Sequence, residues 1–116
     1  LPIAALSALC YSVSDWEIGK KFYLETLGLP SPQFDDVAGW ALLKVPGGVP
    51  IFLIRAGGPV SGSGLSATFD VTEIDAFLAH LRENRVRISD NVQEGPGGRI
   101  YSVYDPDGNL IELREA

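Results

Sequence analysis

The chain has 116 residues, enough for one compact core and too few for a multidomain enzyme. Hydrophobic residues make up 46% and charged residues 21%, a balance too apolar for a disordered segment. Nine Lys and Arg against 15 Asp and Glu leave a formal net charge of −6 without a basic cluster, which argues against nucleic acid as a partner and favours a cation wherever a ligand is charged.

In chain order, Ala5 to Val13 reads as a first strand, closed by Ser14-Asp15-Trp16-Glu17, a Ser-x-x-Glu capping box that starts a helix. That helix is expected to turn Ile18, Phe22, Tyr23, Thr26 and Leu27 to one side and to end near Gly28 and Pro30. Ser31 to Asp36 reads as a short edge strand. Trp40 to Val45 and Val49 to Arg55 form a hairpin about Pro46-Gly47-Gly48. Residues 57–64, rich in Gly and Ser, read as a linker. A phosphate-cradling loop would open into a helix, whereas this segment opens into Leu65 to Val71, a strand. Thr72-Glu73-Ile74-Asp75 then caps a second helix with Ile74, Phe77, Leu78 and Leu81 on its apolar stripe. Val86 to Ile88, Ile100 to Tyr104 and Leu110 to Arg114 supply three more strands. Gly95-Pro96-Gly97-Gly98 reads as a wide turn and Asp105-Pro106-Asp107-Gly108-Asn109 as a hairpin turn.

The second half repeats the first. Val13-Ser14-Asp15 matches Val71-Thr72-Glu73 at an offset of 58, and Pro46-Gly47-Gly48 matches Pro106-Asp107-Gly108 at an offset of 60. The strands that follow those turns align at 60 as well. The economical reading is an α+β chain of two tandem βαβββ modules in one domain over 1–116: residues 1–56, the linker 57–64, and residues 65–116.

There is one Cys and one His. A lone Cys forms no internal disulfide and excludes every Cys-based zinc pattern, so a cytoplasmic setting is expected. No 18-residue apolar run is present, and a membrane location is not expected. Bulky Leu9 makes Leu6-Ser7-Ala8-Leu9-Cys10 a poor lipidation signal.

Lys21-Phe22-Tyr23-x-x-x-Leu27-Gly28-Leu29 in the first helix, together with the closing run from Gly98-Arg99 to Asp105-Pro106-Asp107-Gly108-Asn109-Leu110-Ile111-Glu112-Leu113, resembles the vicinal oxygen chelate superfamily. That group includes glyoxalase I, bleomycin-binding resistance proteins, fosfomycin resistance enzymes and extradiol dioxygenases. The resemblance implies paired modules whose sheets curve around a ligand cup, commonly in a homodimer. Metal-dependent members place ligands near the start of the first strand and in the last strand of each module. Those positions fall here on Ala8, Phe52, Ser66 and Glu112, and of these only Glu112 binds a metal well. His80 lies off the apolar stripe of the second helix, facing solvent. No metal or other cofactor is therefore expected, in keeping with the metal-free bleomycin-resistance branch.

Strand alternation places Ala8, Cys10, Ser12, Trp40, Leu42, Phe52 and Ile54 of the first module on the face turned away from the helices. From the second module it places Ser66, Thr68, Ile100, Ser102, Tyr104, Glu112 and Arg114 there. From these we select Cys10, Trp40, Leu42, Phe52, Ser66, Thr68, Ser102, Tyr104, Glu112 and Arg114 as ligand-binding candidates. Each has a structural alternative. Trp40 and Phe52 equally suit core or dimer packing, Cys10 suits a small buried apolar position, and Glu112 suits an ion pair with Arg114. Glu112 is also the candidate catalytic residue, as a general base. The leading expectation is metal-independent binding of a small organic molecule, cationic or aromatic. The alternatives are a metal- or Glu112-dependent lyase, isomerase or dioxygenase, and an interaction module whose cup is filled.

Overall fold

The computed structural model describes residues 8–57, 66–95 and 98–115. The chain divides into two compact units, residues 1–60 and 61–116. Residues 5–7 of the first expected strand, most of the expected linker and the centre of the Gly95 to Gly98 turn lie outside the described residues.

In the first unit, strand β1 (Leu9–Val13) leads into helix α1 (Trp16–Lys21), which continues as a π-helical turn over Phe22–Thr26. Strands β2 (Gln33–Asp35), β3 (Trp40–Leu43) and β4 (Ile51–Arg55) follow, and the sheet order is β1-β4-β3-β2. β1 and β4 run parallel and the other pairs antiparallel, so α1 lies in the crossover that a parallel pair requires. Alternation is strict: Tyr11, Val13, Ala41, Leu43, Ile51 and Leu53 are buried, and the residues between them are not. α1 packs on the buried face. A Cβ added to Gly19 would come within 2.6 Å of Val13 Cβ, and the Tyr11 and Tyr23 ring centroids are 5.7 Å apart.

Two local expectations are corrected here. The residue that caps α1 is Asp15, whose Oδ1 accepts from the Ile18 amide at 3.0 Å, one position later than the Ser14 box implied. With the helix phased from Asp15, Gly19, Phe22, Tyr23 and Thr26 face the sheet and Ile18 turns to solvent. Glycine suits this inward position because the backbone there approaches Val13 too closely for any side chain. The helix ends at Gly28, whose φ of 78° is a left-handed conformation that glycine adopts without steric cost.

The second unit contains β5 (Ala67–Val71), α2 (Ile74–Glu83), β6 (Arg87–Ile88), β7 (Gln93–Gly95), β8 (Gly98–Tyr104) and β9 (Leu110–Glu115). Its sheet order is β5-β9-β8-β6, with β7 also paired to β8. The register reproduces the internal repeat: Leu9 pairs with Ile51 in the first sheet, and Ala67 pairs with Ile111 in the second, at the offsets of 58 and 60 read from the sequence. The resulting architecture is mixed α+β, with two sheets of corresponding strand order.

β7 was not anticipated. It pairs Gln93 with Ile100 and Gly95 with Gly98, so the glycine-rich stretch joins two strands rather than merely preceding one. The capping reading of Thr72 is also corrected. The N-cap of α2 is Glu73 in a left-handed conformation (φ 50°, ψ 51°) without a side-chain cap bond. Ile74, Leu78 and Leu81 are buried as expected, Phe77 is partly buried, and exposed His80 stacks on the Phe77 ring at 6.0 Å.

The turn before β9 is held by one carboxylate. Asp105 Oδ1 accepts from the Asp107 and Asn109 amides, and Oδ2 accepts from Asn109 Nδ2 at 2.8 Å, with Gly108 at φ 86°. Asp105 and Asn109 are both buried. The acidic run is therefore a closed Asx-type turn, as its composition suggested.

Candidate functional site

The helix-free face of the first sheet is built in two register rows. One runs Cys10, Phe52, Leu42, Gln33 across β1, β4, β3 and β2; the next runs Ser12, Ile54, Trp40, Asp35. Trp40, Leu42, Phe52 and Ile54 are partly buried and form the apolar centre. Trp40 and Phe52 are diagonal neighbours on antiparallel strands, with ring centroids 5.7 Å apart and planes 20° from parallel. Cys10, expected as a small buried residue, is exposed at the edge of this row. Desolvation by its neighbours nevertheless raises its thiol pKa, so the neutral, weakly nucleophilic form prevails at neutral pH. Trp16, by contrast, is buried, its indole donating to Asp36 Oδ1 at 2.9 Å.

The corresponding face of the second sheet is polar. One row runs Thr68, Glu112, Ser102 across β5, β9 and β8; the next runs Asp70, Arg114, Ile100, Gln93. Ser66 Oγ donates to Glu112 Oε1 at 3.1 Å. The expected Glu112–Arg114 pair is not formed: Arg114 Nε donates to Asp70 Oδ1 at 2.7 Å. Residues two apart on one strand are about 7 Å from each other, whereas Asp70 lies directly opposite Arg114 in the register, so the cross-strand partner wins. This pair holds the Asp70 carboxyl below its usual range and raises Arg114. Tyr104 carries the Arg87 guanidinium 4.1 Å above its ring, from the directly opposite position on β6. Arg87 lies in a strand expected over Val86 to Ile88, but its seat on Tyr104 depends on the pairing of β6 with β8, which no local pattern encodes.

The structure thus brings Cys10, Trp40, Leu42 and Phe52 together on one face of the first sheet. It brings Ser66, Thr68, Ser102, Tyr104, Glu112 and Arg114 together on the corresponding face of the second. A family model described as the Glyoxalase/Bleomycin resistance protein/Dioxygenase superfamily matches residues 5–113. The chain belongs to this superfamily.

Among solved structures, an antibiotic-binding protein from a Streptomyces species, TnmS3, is 31% identical with a TM-score of 0.72, covering 99% of this chain and 98% of its own. The fosfomycin resistance protein FosX from Listeria monocytogenes is 18% identical with a TM-score of 0.79, covering 98% and 94%. A lactoylglutathione lyase from Agrobacterium tumefaciens is also 18% identical, with a TM-score of 0.70 and coverage of 100% and 96%. At 18% identity the last two establish a shared fold alone. No curated protein matches the chain significantly. No helix among the described residues is long and apolar enough to cross a membrane.

The superfamily's metal-ligand positions can be tested on the donors present. Ala8 and Phe52 offer no donor side chain, Ser66 offers a neutral hydroxyl already engaged with Glu112, and Glu112 offers one carboxylate. No three His, Cys, Asp or Glu side chains converge among the described residues, and His80 lies on α2. Stable catalytic sites use about three protein ligands. This donor set does not fit the superfamily's metal.

Proposed function

We propose that this superfamily member binds a small organic molecule, aromatic or cationic, on the helix-free face of its first sheet, through apolar contact and hydrogen bonds rather than metal coordination. The observation that carries this reading is the stacked, partly buried Trp40–Phe52 pair, bordered by Leu42, Ile54 and Cys10. An apolar platform of this kind supplies affinity by excluding water from an aromatic ligand, and neighbouring polar groups orient it. The 31%-identical antibiotic-binding protein supports the same class of activity. The test is calorimetry in chelator-treated buffer against aromatic and cationic drugs. Saturable heat is expected, weakened about tenfold or more in Trp40→Ala and in Phe52→Ala. No saturable heat without metal, with binding restored by an added divalent ion, would overturn the reading.

A second reading rests on Glu112. Ser66 orients one carboxylate oxygen on a polar sheet face bordered by Thr68 and Ser102, an arrangement that also suits a general base in a lyase or isomerase. It requires that Glu112→Gln abolish turnover of a carbonyl substrate while the melting temperature stays near that of the parent. Unchanged turnover in that variant excludes it.

A further inference from the structure

The strands of the second unit place Asp70, Arg87, Glu112 and Arg114 on the helix-free face. Asp70 and Arg114 neutralise each other at 2.7 Å. Arg87 and Glu112 remain, opposite in sign, and neither forms an ion pair among the described residues.

Both side chains are held in place by neighbours that leave their charges unsatisfied. The Arg87 guanidinium lies 4.1 Å above the Tyr104 ring, and Glu112 Oε1 accepts from Ser66 Oγ at 3.1 Å. Stacking uses the flat face of the guanidinium and leaves the N–H groups at its edge to donate, while it restricts a long side chain before any ligand arrives. Arg87 is on β6 and Glu112 on β9, with β8 between them. The two strands are therefore two spacings apart, roughly 10 Å. In the gap β8 carries Tyr104 directly opposite Arg87 and Ser102 directly opposite Glu112, two hydroxyl side chains on the same face.

The signs select the ligand. A simple anion meets repulsion from Glu112 and from residues 58–116, whose 5 basic and 10 acidic side chains sum to −5, and a simple cation meets repulsion from Arg87. A molecule carrying both charges satisfies each group and has no net charge to be repelled. Allowing about 2.8 Å for a charge-assisted hydrogen bond at each end, the span suits charged groups roughly 4–5 Å apart.

We propose that Arg87, seated on Tyr104, and Glu112, held by Ser66, form a site for a small zwitterion: a short-chain amino carboxylate whose carboxylate accepts from Arg87 and whose ammonium donates to Glu112. Glu112 stays ionised in this role and moves no proton. The site lies wholly in the second unit, so failure of aromatic-drug binding at Trp40 and Phe52 leaves it standing.

Nuclear magnetic resonance titration of the full chain at constant ionic strength tests this with three matched probes: 4-aminobutyrate, butyrate and butylamine. Saturable shifts with 4-aminobutyrate at millimolar affinity or better are expected, and at least about tenfold weaker binding of the other two. Arg87→Gln should reduce 4-aminobutyrate to the affinity of butylamine, and Glu112→Gln should reduce it to that of butyrate. Both changes keep a polar side chain of similar length, and the melting temperature of each variant should match the parent. Tyr104→Leu should weaken both carboxylates and leave butylamine unchanged, since the ring acts only through Arg87. No saturable shift up to about 100 mM 4-aminobutyrate overturns the proposal. So does butyrate or butylamine binding as tightly as 4-aminobutyrate, or an affinity unmoved by Arg87→Gln or by Glu112→Gln. Equal weakening of all three probes in Tyr104→Leu overturns the role of the ring in seating Arg87.

Discussion

At the scale of single residues, the most consequential polar side chain outside the candidate site is Asp105. Its carboxylate satisfies three N–H donors inside a buried turn. Replacing it with Ala leaves buried donors without an acceptor, and we expect a loss of roughly 2–3 kcal/mol by urea denaturation. Asp105→Asn retains one acceptor oxygen and should lose less. Asp36 presents a different case, because it is exposed and its partners are Lys20 Nζ and the Trp16 indole. The hydrogen bond from Lys20, then that from Trp16, hold its pKa below the ordinary 3.8, and the Asp36 hydrogen bond holds Lys20 above 10.5. A lowered carboxylate pKa contributes stability above the ordinary value, and this is lost as pH falls through the lowered one. A raised lysine pKa contributes below its ordinary value, and this is lost as pH rises through the raised one. Melting temperature against pH should therefore fall less steeply below about pH 4 in Asp36→Asn than in the parent. Equal slopes would show that solvent screening has removed the pair's contribution.

At the scale of elements, the contact between α1 and β1 is set by Gly19. A methyl group there would lie 2.6 Å from Val13 Cβ and 2.7 Å from both of its γ-methyl groups, closer than real carbon atoms approach, and a short branched side chain on a buried strand position has no room to swing aside. Gly19→Ala should cost about 1–3 kcal/mol despite its higher helix propensity. Adding Val13→Ala should recover part of that loss, and additive losses in the double variant would contradict the contact. The same element shows why a local motif misled. Ser14 and Asp15 are both good capping residues, and the end of β1 at Val13 leaves Asp15 extended, at φ −105° and ψ 112°, with its side chain over the first turn. In the second unit Thr72 offers the equivalent hydroxyl, yet the chain enters α2 through a left-handed Glu73. Local propensity identified both helices; strand register chose their first residues.

At the scale of the whole molecule, charge is unevenly distributed along the chain. Residues 58–116 hold 5 basic and 10 acidic side chains, a sum of −5 of the total −6. An acidic surface attracts cations over roughly 10 Å at physiological salt and less as salt rises. For any ligand found by calorimetry, affinity of a cationic form should fall severalfold between about 0.05 and 0.5 M salt, while a neutral isostere is nearly unaffected. Equal salt dependence would mean that the net charge has no part in recognition.

The sequence by itself determined the two-module order, the strand faces and the poverty of metal donors at Ala8, Phe52 and Ser66. These follow from period-two alternation and from a repeat whose offsets of 58 and 60 survive in the observed registers. Tertiary structure alone decided which neighbours the polar side chains chose. Arg114 took Asp70 rather than Glu112, Arg87 covered Tyr104, and Ile18 was left in solvent while Gly19 met the sheet. The reason is physical: alternation assigns a side chain to a face, whereas its partner on that face is set by the strand or helix packed beside it. Those neighbours are 17 to 46 residues away in the chain for the Arg87–Tyr104, Arg114–Asp70 and Ser66–Glu112 contacts, beyond the reach of any local pattern.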